Sequence, residues 1–271
     1  MGAEGYCWIS FTTDYGTRDG FVAACKGVIA TVSPATTILD VTHHVPAGDV
    51  RRGAVVLAQT VPYLPPAVHL AVVDPGVGTA RRAIAVQTAT SVLVGPDNGL
   101  LGWAADALGG ARRAVVLDRP DWHLTPVSRT FHGRDIFGPV AARLATGRPF
   151  TEAGTALDPG ELVTLPEPVL RHTNGQAEVE VLTVDAFGNV ALAAGAATLT
   201  ELGGPRDVTV SVGDRRLPVT VGETFGSVPP GELLLYLDSA DQLTLAVNGG
   251  SAARRLELRA GDLVRLVPTS H

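Results

Sequence analysis

Cysteine is scarce in this chain. Only Cys7 and Cys25 occur, with no CxxC pairing, so a disulfide framework, a zinc ribbon and a dithiol redox centre are all excluded. Both thiols sit in apolar stretches and read as a buried, reduced pair, compatible with a reducing compartment. Aromatic residues make up only 5%, so any ring at a turn stands out. Basic charge is also short. The net charge is −6, and the Arg pairs are scattered along the chain, which argues against a nucleic-acid partner. No long apolar run survives inspection: the longest uncharged stretch, residues 53–73, is broken by Pro62, Pro65 and Pro66, so no membrane helix is expected. The opening "MGAEGYC" has no basic segment followed by an apolar one, and no Ser or Thr where a myristoylation signal needs it, so a cytoplasmic location is expected. Dinucleotide, phosphate-loop, nucleophile-elbow and HExxH motifs are missing too, which removes a nucleotide cradle, an α/β-hydrolase nucleophile and a zincin site.

What remains is a globular composition, 45% hydrophobic and 18% charged over 271 residues, and a length that favours two domains. Residues 1–153 alternate strand-like and helix-like runs. "CWISFTT", "TTILDVT", "AVHLAVVD", "AIAVQT" and "SVLVGP" read as strands. "RDGFVAACKGVIATVSP", "GDVRRGAVVLAQTV", "NGLLGWAADAL" and "GRDIFGPVAARLATG" read as helices. That is an α/β domain with a largely parallel sheet. Residues 154–175, rich in Pro and Gly, read as a linker. Residues 176–271 hold short alternating runs such as "AEVEVLTVD" and "QLTLAVN", the pattern of an all-β domain.

Asp14, His43-His44, Asp74 and Asp97-Asn98 each follow a strand-like run. In an open α/β sheet the carboxyl ends of the strands border the ligand crevice, so these four tips are expected on one edge. The segment "VVDPGVGTARR" (72–82) sends a carboxylate out of a strand and returns two arginines after a Pro-Gly-Val-Gly turn. On its own it reads first as a turn cap with solvated arginines, and only second as a catalytic carboxylate with Arg81 beside it. His132 in "TFHGRDIF" sits near a helix start, where its protonated form is disfavoured; a capping turn with Arg134 and Asp135 solvated is an equal reading. "DAFGN" (185–189) and "ETFGSV" (223–228) put Phe187 and Phe225 at turns, where a ring either stacks on a planar ligand or fills a corner. Ligand-spaced His, Cys or carboxylate sets are absent, so no metal site is expected.

Taken in order, "FTTDYGTRDGFVAACKGVI", "ILDVTHHVPAGDVRRGA", "VVDPGVGT", "VGPDNGLL", "TFHGRDIFGPVAARLATG", "DAFGN" and "TFG" closely resemble the S-adenosyl-L-methionine (SAM) hydroxide adenosyltransferase family, related to the SAM-dependent fluorinase and chlorinase. The resemblance implies an N-terminal α/β domain and a barrel-like C-terminal β domain. It implies cleavage of SAM to adenosine and L-methionine by water or hydroxide at ribose C5′, with no metal or organic cofactor. By motif, the catalytic Asp, Arg and His fall on Asp74, Arg81 and His132. Asp14 falls on the carboxylate that holds the ribose hydroxyls. Asp185 and Asn189 fall on the groups that receive the methionine end, and Phe187 and Phe225 on the rings around the nucleoside. Ser239 and Asn248 occupy matching binding positions. "DAFGN" is one residue shorter than in the halogenases.

The chemistry suits so sparse a set, because a sulfonium leaves as a neutral thioether and needs no acid. An ordinary Asp pKa is about 3.9, roughly twelve units below that of water, so Asp74 is expected to draw off a proton only as the C–O bond forms. Arg81 would fix the carboxylate or stabilise hydroxide, and His132 would orient the water or relay a proton. The competing readings are a chloride- or fluoride-using SAM halogenase, a SAM- or nucleoside-binding protein without turnover, and a metal-dependent hydrolase. Gly133, where the fluorinase has Ser, and the Asp-Arg-His set, which the halogenases lack, favour hydrolysis. The family also implies a homotrimer, with sites shared between subunits.

Overall fold

The computed structural model describes residues 5–269, and the chain divides into two compact units after Leu165. In the first, the strands are β1 (Trp8–Thr13), β2 (Thr37–Thr42), β3 (Val68–Val72), β4 (Ala83–Gln87), β5 (Val92–Pro96), β6 (Arg113–Val116) and β7 (Thr155–Leu157). They form one sheet in the order β2-β1-β3-β5-β4-β6-β7. The β2-β1-β3-β5 half is parallel, and β4, β6 and β7 extend it through antiparallel pairings. β7 lies within the segment expected to be linker, where it pairs with β6.

Helices cover both faces, which is why β3 is buried along its whole length. Side chains alternate across a strand. Val68, Leu70 and Val72 therefore pack with Cys25 and Ile29 of α1 (Phe21–Val32) and Val140 and Leu144 of α4 (Gly138–Ala145). Ala71 and Val73 face Ala54 and Leu57 of α2 (Val50–Thr60) and Ala104 of α3 (Gly102–Ala107). The i, i+3, i+7 spacing of Val22, Cys25 and Ile29 gives α1 its buried stripe. α2 starts at Asp49, whose side chain accepts from the Arg52 amide at 2.9 Å. Each fully buried Leu, Ile or Phe in these layers contributes about 1.5–3 kcal/mol.

This arrangement brings the four polar tips to a single edge. Asp14, His43-His44, Asp74 and Asp97-Asn98 follow the carboxyl ends of β1, β2, β3 and β5, all parallel. The expectation of a buried thiol pair is corrected: Cys25 is buried under α4, but Cys7 is exposed. It precedes the first residue of β1, where its carbonyl accepts from the Thr37 amide and its side chain has no covering layer.

The second unit is a closed barrel. Its strands are β8 (Leu170–Thr173), β9 (Gln176–Val184), β10 (Val190–Gly195), β11 (Asp207–Val212), β12 (Arg215–Val221), β13 (Leu233–Leu237), β14 (Gln242–Val247) and β15 (Leu263–Pro268). The order β10-β14-β13-β12-β11-β15-β9 closes because the nine-residue β9 pairs at its far end with β10, and β8 is added at its near end. Closure removes the exposed edges that an open sheet of this size would carry. Inward Val and Leu residues from β9, β10, β11, β13, β14 and β15 fill it, together with Leu256 of α5 (Ala252–Leu256). Among the described residues no helix is long and apolar enough to cross a membrane.

Candidate active site

The turn after β3 is built to return on itself. Val77 N donates to Asp74 O and Thr79 N to Gly76 O, both at 3.2 Å, and the Thr79 hydroxyl caps Gly76 O at 2.7 Å. Gly78 has φ +76°, and a Cβ there would stand 2.4 Å from Arg129 O, so only glycine fits this crossing of two loops. Seven residues after Asp74, Arg81 comes back beside it. Its Nε lies 3.0 Å from both Asp74 carboxylate oxygens, and its Nη2 donates to Asp74 Oδ2. The pair is nearly enclosed, with side-chain exposures of 5% for Asp74 and 10% for Arg81. The same Nη2 reaches Nδ1 of His132 at 2.8 Å. The guanidinium also lies over the Phe137 ring, 5.0 Å from its centroid.

His132 is held by a local device. Gly133–Phe137 is a π-helical turn leading into α4, a geometry that often marks functional positions. Inside it Asp135 is buried, takes Arg134 on both oxygens at 2.6 and 2.9 Å, and accepts the Ser128 amide at 2.8 Å. Burial pushes the Asp135 carboxyl up, but these hydrogen bonds and the Arg134 charge outweigh it and hold the carboxyl below its usual range. The reading of Arg134 and Asp135 as a solvated pair fails for Asp135, which is buried and pins the loop that ends at His132, while Arg134 stays partly exposed. Burial, then the Arg81 charge, holds the imidazole below its ordinary 6.5, against the opposing pull of Asp74 and Asp135. Asp14 stands at the same sheet edge and accepts the Gly48 amide at 2.8 Å on Oδ2.

In the barrel unit, Asp185, Phe187, Asn189 and Phe225 line one open cleft of about 610 Å³. Asp185 organises its turn: Oδ1 accepts the amides of Phe187 and Asn189, each at 2.8 Å, and Oδ2 accepts Asn189 Nδ2 at 2.7 Å. Phe187 projects freely, 80% exposed, and Phe225 is tilted against Tyr236 at 5.4 Å. Ser239 and Asn248 are not lining side chains of this cleft. Ser239 lies in the turn after β13, and Asn248 spends its Nδ2 on Val228 O at 2.8 Å. Among the described residues no group of three or more His, Cys, Asp or Glu could hold a metal ion.

Residues 9–154 match the SAM hydroxide adenosyltransferase N-terminal domain, and residues 179–265 match the C-terminal domain of the same family. The chain belongs to the SAM hydroxide adenosyltransferase family. An (R)-S-adenosyl-L-methionine hydrolase from Salinispora tropica is 60% identical over 259 residues, covering 96% of this chain and 97% of that protein. A fluorinase from Actinoplanes sp. is more distant, 27% identical over 291 residues, covering 96% and 97%. A crystal structure of a protein from Thermotoga maritima matches with a TM-score of 0.90 at 36% identity, covering 96% of this chain and 99% of that one.

Within this member of the family, the structure brings Asp74, Arg81 and His132 into contact. It gathers Asp185, Phe187, Asn189 and Phe225 separately in the barrel cleft. The sequence reading passed over Phe137 beneath Arg81, and Tyr236 and Arg254 in the cleft. It also passed over Tyr15, although that ring sits in the quoted stretch directly after Asp14.

Proposed function

We propose that this protein hydrolyses SAM to adenosine and L-methionine. A water molecule attacks ribose C5′ from the side opposite sulfur. As the new C–O bond forms, the C5′–S bond breaks, its electron pair stays on sulfur, and the water proton passes to Asp74. The sulfonium loses its charge on leaving, so neither a general acid nor a Lewis acid is called for, and no metal or organic cofactor takes part. The single observation that carries this reading is the Arg81 fork, which holds the Asp74 carboxylate and the His132 ring with one guanidinium. That carboxylate is prepositioned as a proton acceptor in a site with little solvent. Nearby, Asp14 keeps one oxygen clear of the Gly48 amide for the ribose hydroxyls. Phe187 and Phe225 offer faces to the nucleoside, and Asp185 and Asn189 receive the amino-acid end.

The decisive experiment incubates the purified protein with SAM in ¹⁸O-labelled water containing chloride. Adenosine carrying the label at C5′, with equimolar L-methionine, is the expected product. Dominant 5′-chloro-5′-deoxyadenosine, or SAM binding with no turnover, overturns the reading. Chelators should leave the rate unchanged.

The working form is a cytoplasmic homotrimer, in which the groups assigned to the water and ribose and those assigned to methionine come from different subunits. The division of the assigned residues between two units supports this. Mixing an Asp74→Asn variant with one disabled at Phe187 and Asn189 should restore activity after subunit exchange. Verified exchange without recovery removes the shared-site model.

A further inference from the structure

Tyr15 has no place in the reaction described so far, yet it is fixed within it. Its amide donates to Thr13 Oγ1 at 3.2 Å, and the next amide, from Gly16, donates to His43 O at 2.6 Å. His43 is itself buried and braced, with Nδ1 at 2.9 Å from Thr13 Oγ1 and Nε2 at 3.0 Å from Asp40 Oδ1. The Tyr15 ring stands edge-on to Phe131 at 5.9 Å and tilted against Phe21 at 6.1 Å. The phenol thus packs on the segment that presents His132.

The position of the hydroxyl depends on residue 133. A Cβ built on Gly133 would lie 2.2 Å from Tyr15 Oη and 3.1 Å from Cζ. No alanine can share that space with the phenol in this position, so the hydroxyl occupies a notch that only glycine leaves. Among the described residues no hydrogen bond engages it. Its surroundings are those of the site. Burial foremost, then Cys25, Asp14 and Asp74, push its ionisation far above the usual phenol range, with Arg81 pulling the other way. The group therefore stays neutral, able to give one hydrogen bond and accept another.

We propose that Tyr15 is a further residue of the reaction site, whose hydroxyl, seated in the notch left by Gly133, hydrogen-bonds the water held by Asp74. This rests on the hydrolysis reading above. A water tied to one carboxylate can still swing about that single bond. A second fixed partner confines the direction of its lone pair, which is what displacement at C5′ requires. Tyr15 exchanges no proton in the step: the water proton goes to Asp74 and the electron pair to sulfur.

The test is a double-mutant cycle on Tyr15→Phe and Gly133→Ala, with kcat and KM for SAM measured separately and thermal unfolding run on every variant. Tyr15→Phe removes one oxygen and keeps the ring. It should lower kcat about 10- to 100-fold, the range for losing one hydrogen bond at a reacting group, and leave KM within about twofold. Gly133→Ala should also lower kcat in the wild-type background. Its cost should be about tenfold smaller in the Tyr15→Phe background, because the clashing oxygen is gone and the two changes share one contact. A Tyr15→Phe enzyme with wild-type kcat, an effect confined to KM, or independent costs in the double variant overturns the proposal. If Gly133→Ala does not fold, the kcat-against-KM split of Tyr15→Phe decides alone. Wild-type product identity judges the hydrolysis reading by itself, while variant-to-wild-type ratios judge Tyr15, so the two fail separately.

Discussion

Nδ1 of His132 lies 2.8 Å from Nη2 of Arg81. A guanidinium only donates hydrogen bonds, so Nδ1 must carry its lone pair and the ring proton sits on Nε2. A hydrogen bond to the Ser128 backbone engages the ring as well, so His132 is expected to act by holding the Arg81 fork in place through Nδ1. A pH dependence follows. Burial first, and the Arg81 charge second, hold His132 below 6.5; protonating Nδ1 would set N–H against N–H. Activity should be flat from neutrality down and then fall as pH drops through the lowered His132 value, giving an acid limb below 6.5. In His132→Asn the residual activity should lose that limb. A limb centred at or above 6.5, or one that survives the substitution, contradicts the assignment.

Replacing Asp74 by Asn keeps the shape and removes the proton acceptor. Turnover should fall by about 10²- to 10⁴-fold, the usual contribution of a positioned acid or base, while SAM still binds. The substitution has a structural cost as well. Arg81 is left as a nearly enclosed cation without its carboxylate, and losing one partner of such a pair costs about 3–5 kcal/mol. Assays belong well below the variant's melting temperature, with binding measured by calorimetry. Wild-type turnover in Asp74→Asn would falsify the role.

Some of this was legible in the chain and some was not, for physical reasons. The Asp74–Arg81 contact closes over seven residues through a Pro-Gly-Val-Gly turn, and such local geometry is written in turn chemistry. The shared edge of Asp14, His43, Asp74 and Asp97 follows from strand-helix alternation. His132 lies 51 residues from Arg81, and no spacing rule spans that distance; the ordered motifs supplied it instead. Tyr15 was invisible because its meaning depends on the missing Cβ of Gly133, a relation only packing reveals. The β7 strand hid in a Pro- and Gly-rich segment because three residues carry no period to detect. Barrel closure was equally hidden, since β9 chooses β10 as a partner through its length, not its pattern.

Phe187 offers a clean separation of binding from folding. Its ring is 80% exposed, so Phe187→Ala should change stability by no more than about 0.5 kcal/mol. Aromatic stacking on a base is worth about 1–3 kcal/mol, so SAM affinity should weaken by roughly 5- to 150-fold with little change in kcat. Thermal unfolding and calorimetric titration read the two effects independently. An unchanged SAM affinity would place the nucleoside elsewhere.

The last prediction concerns a histidine away from the chemistry. His69 lies in β3 with no exposed surface, its Nδ1 at 2.8 Å from Ser10 Oγ, and its Nε2 buried with no hydrogen-bond partner among the described residues. Burial lowers its pKa from 6.5 to about 4. The unfolded chain therefore binds a proton more readily than the folded one, so stability must rise with pH through this window. The contribution is complete above 6.5 and is lost progressively as pH falls to about 4, amounting to about 3 kcal/mol in all. Burial also lowers His123 and His132, so each adds a slope of the same sign. The difference between the wild type and His69→Gln isolates His69, because the amide can still meet Ser10 but does not titrate. Urea unfolding at half-unit pH steps should show the wild type losing stability between pH 6.5 and 4 more steeply than the variant. Parallel curves would mean that His69 stays neutral in both states over that range, or that the folded protein admits its charge, and either result removes burial as the cause.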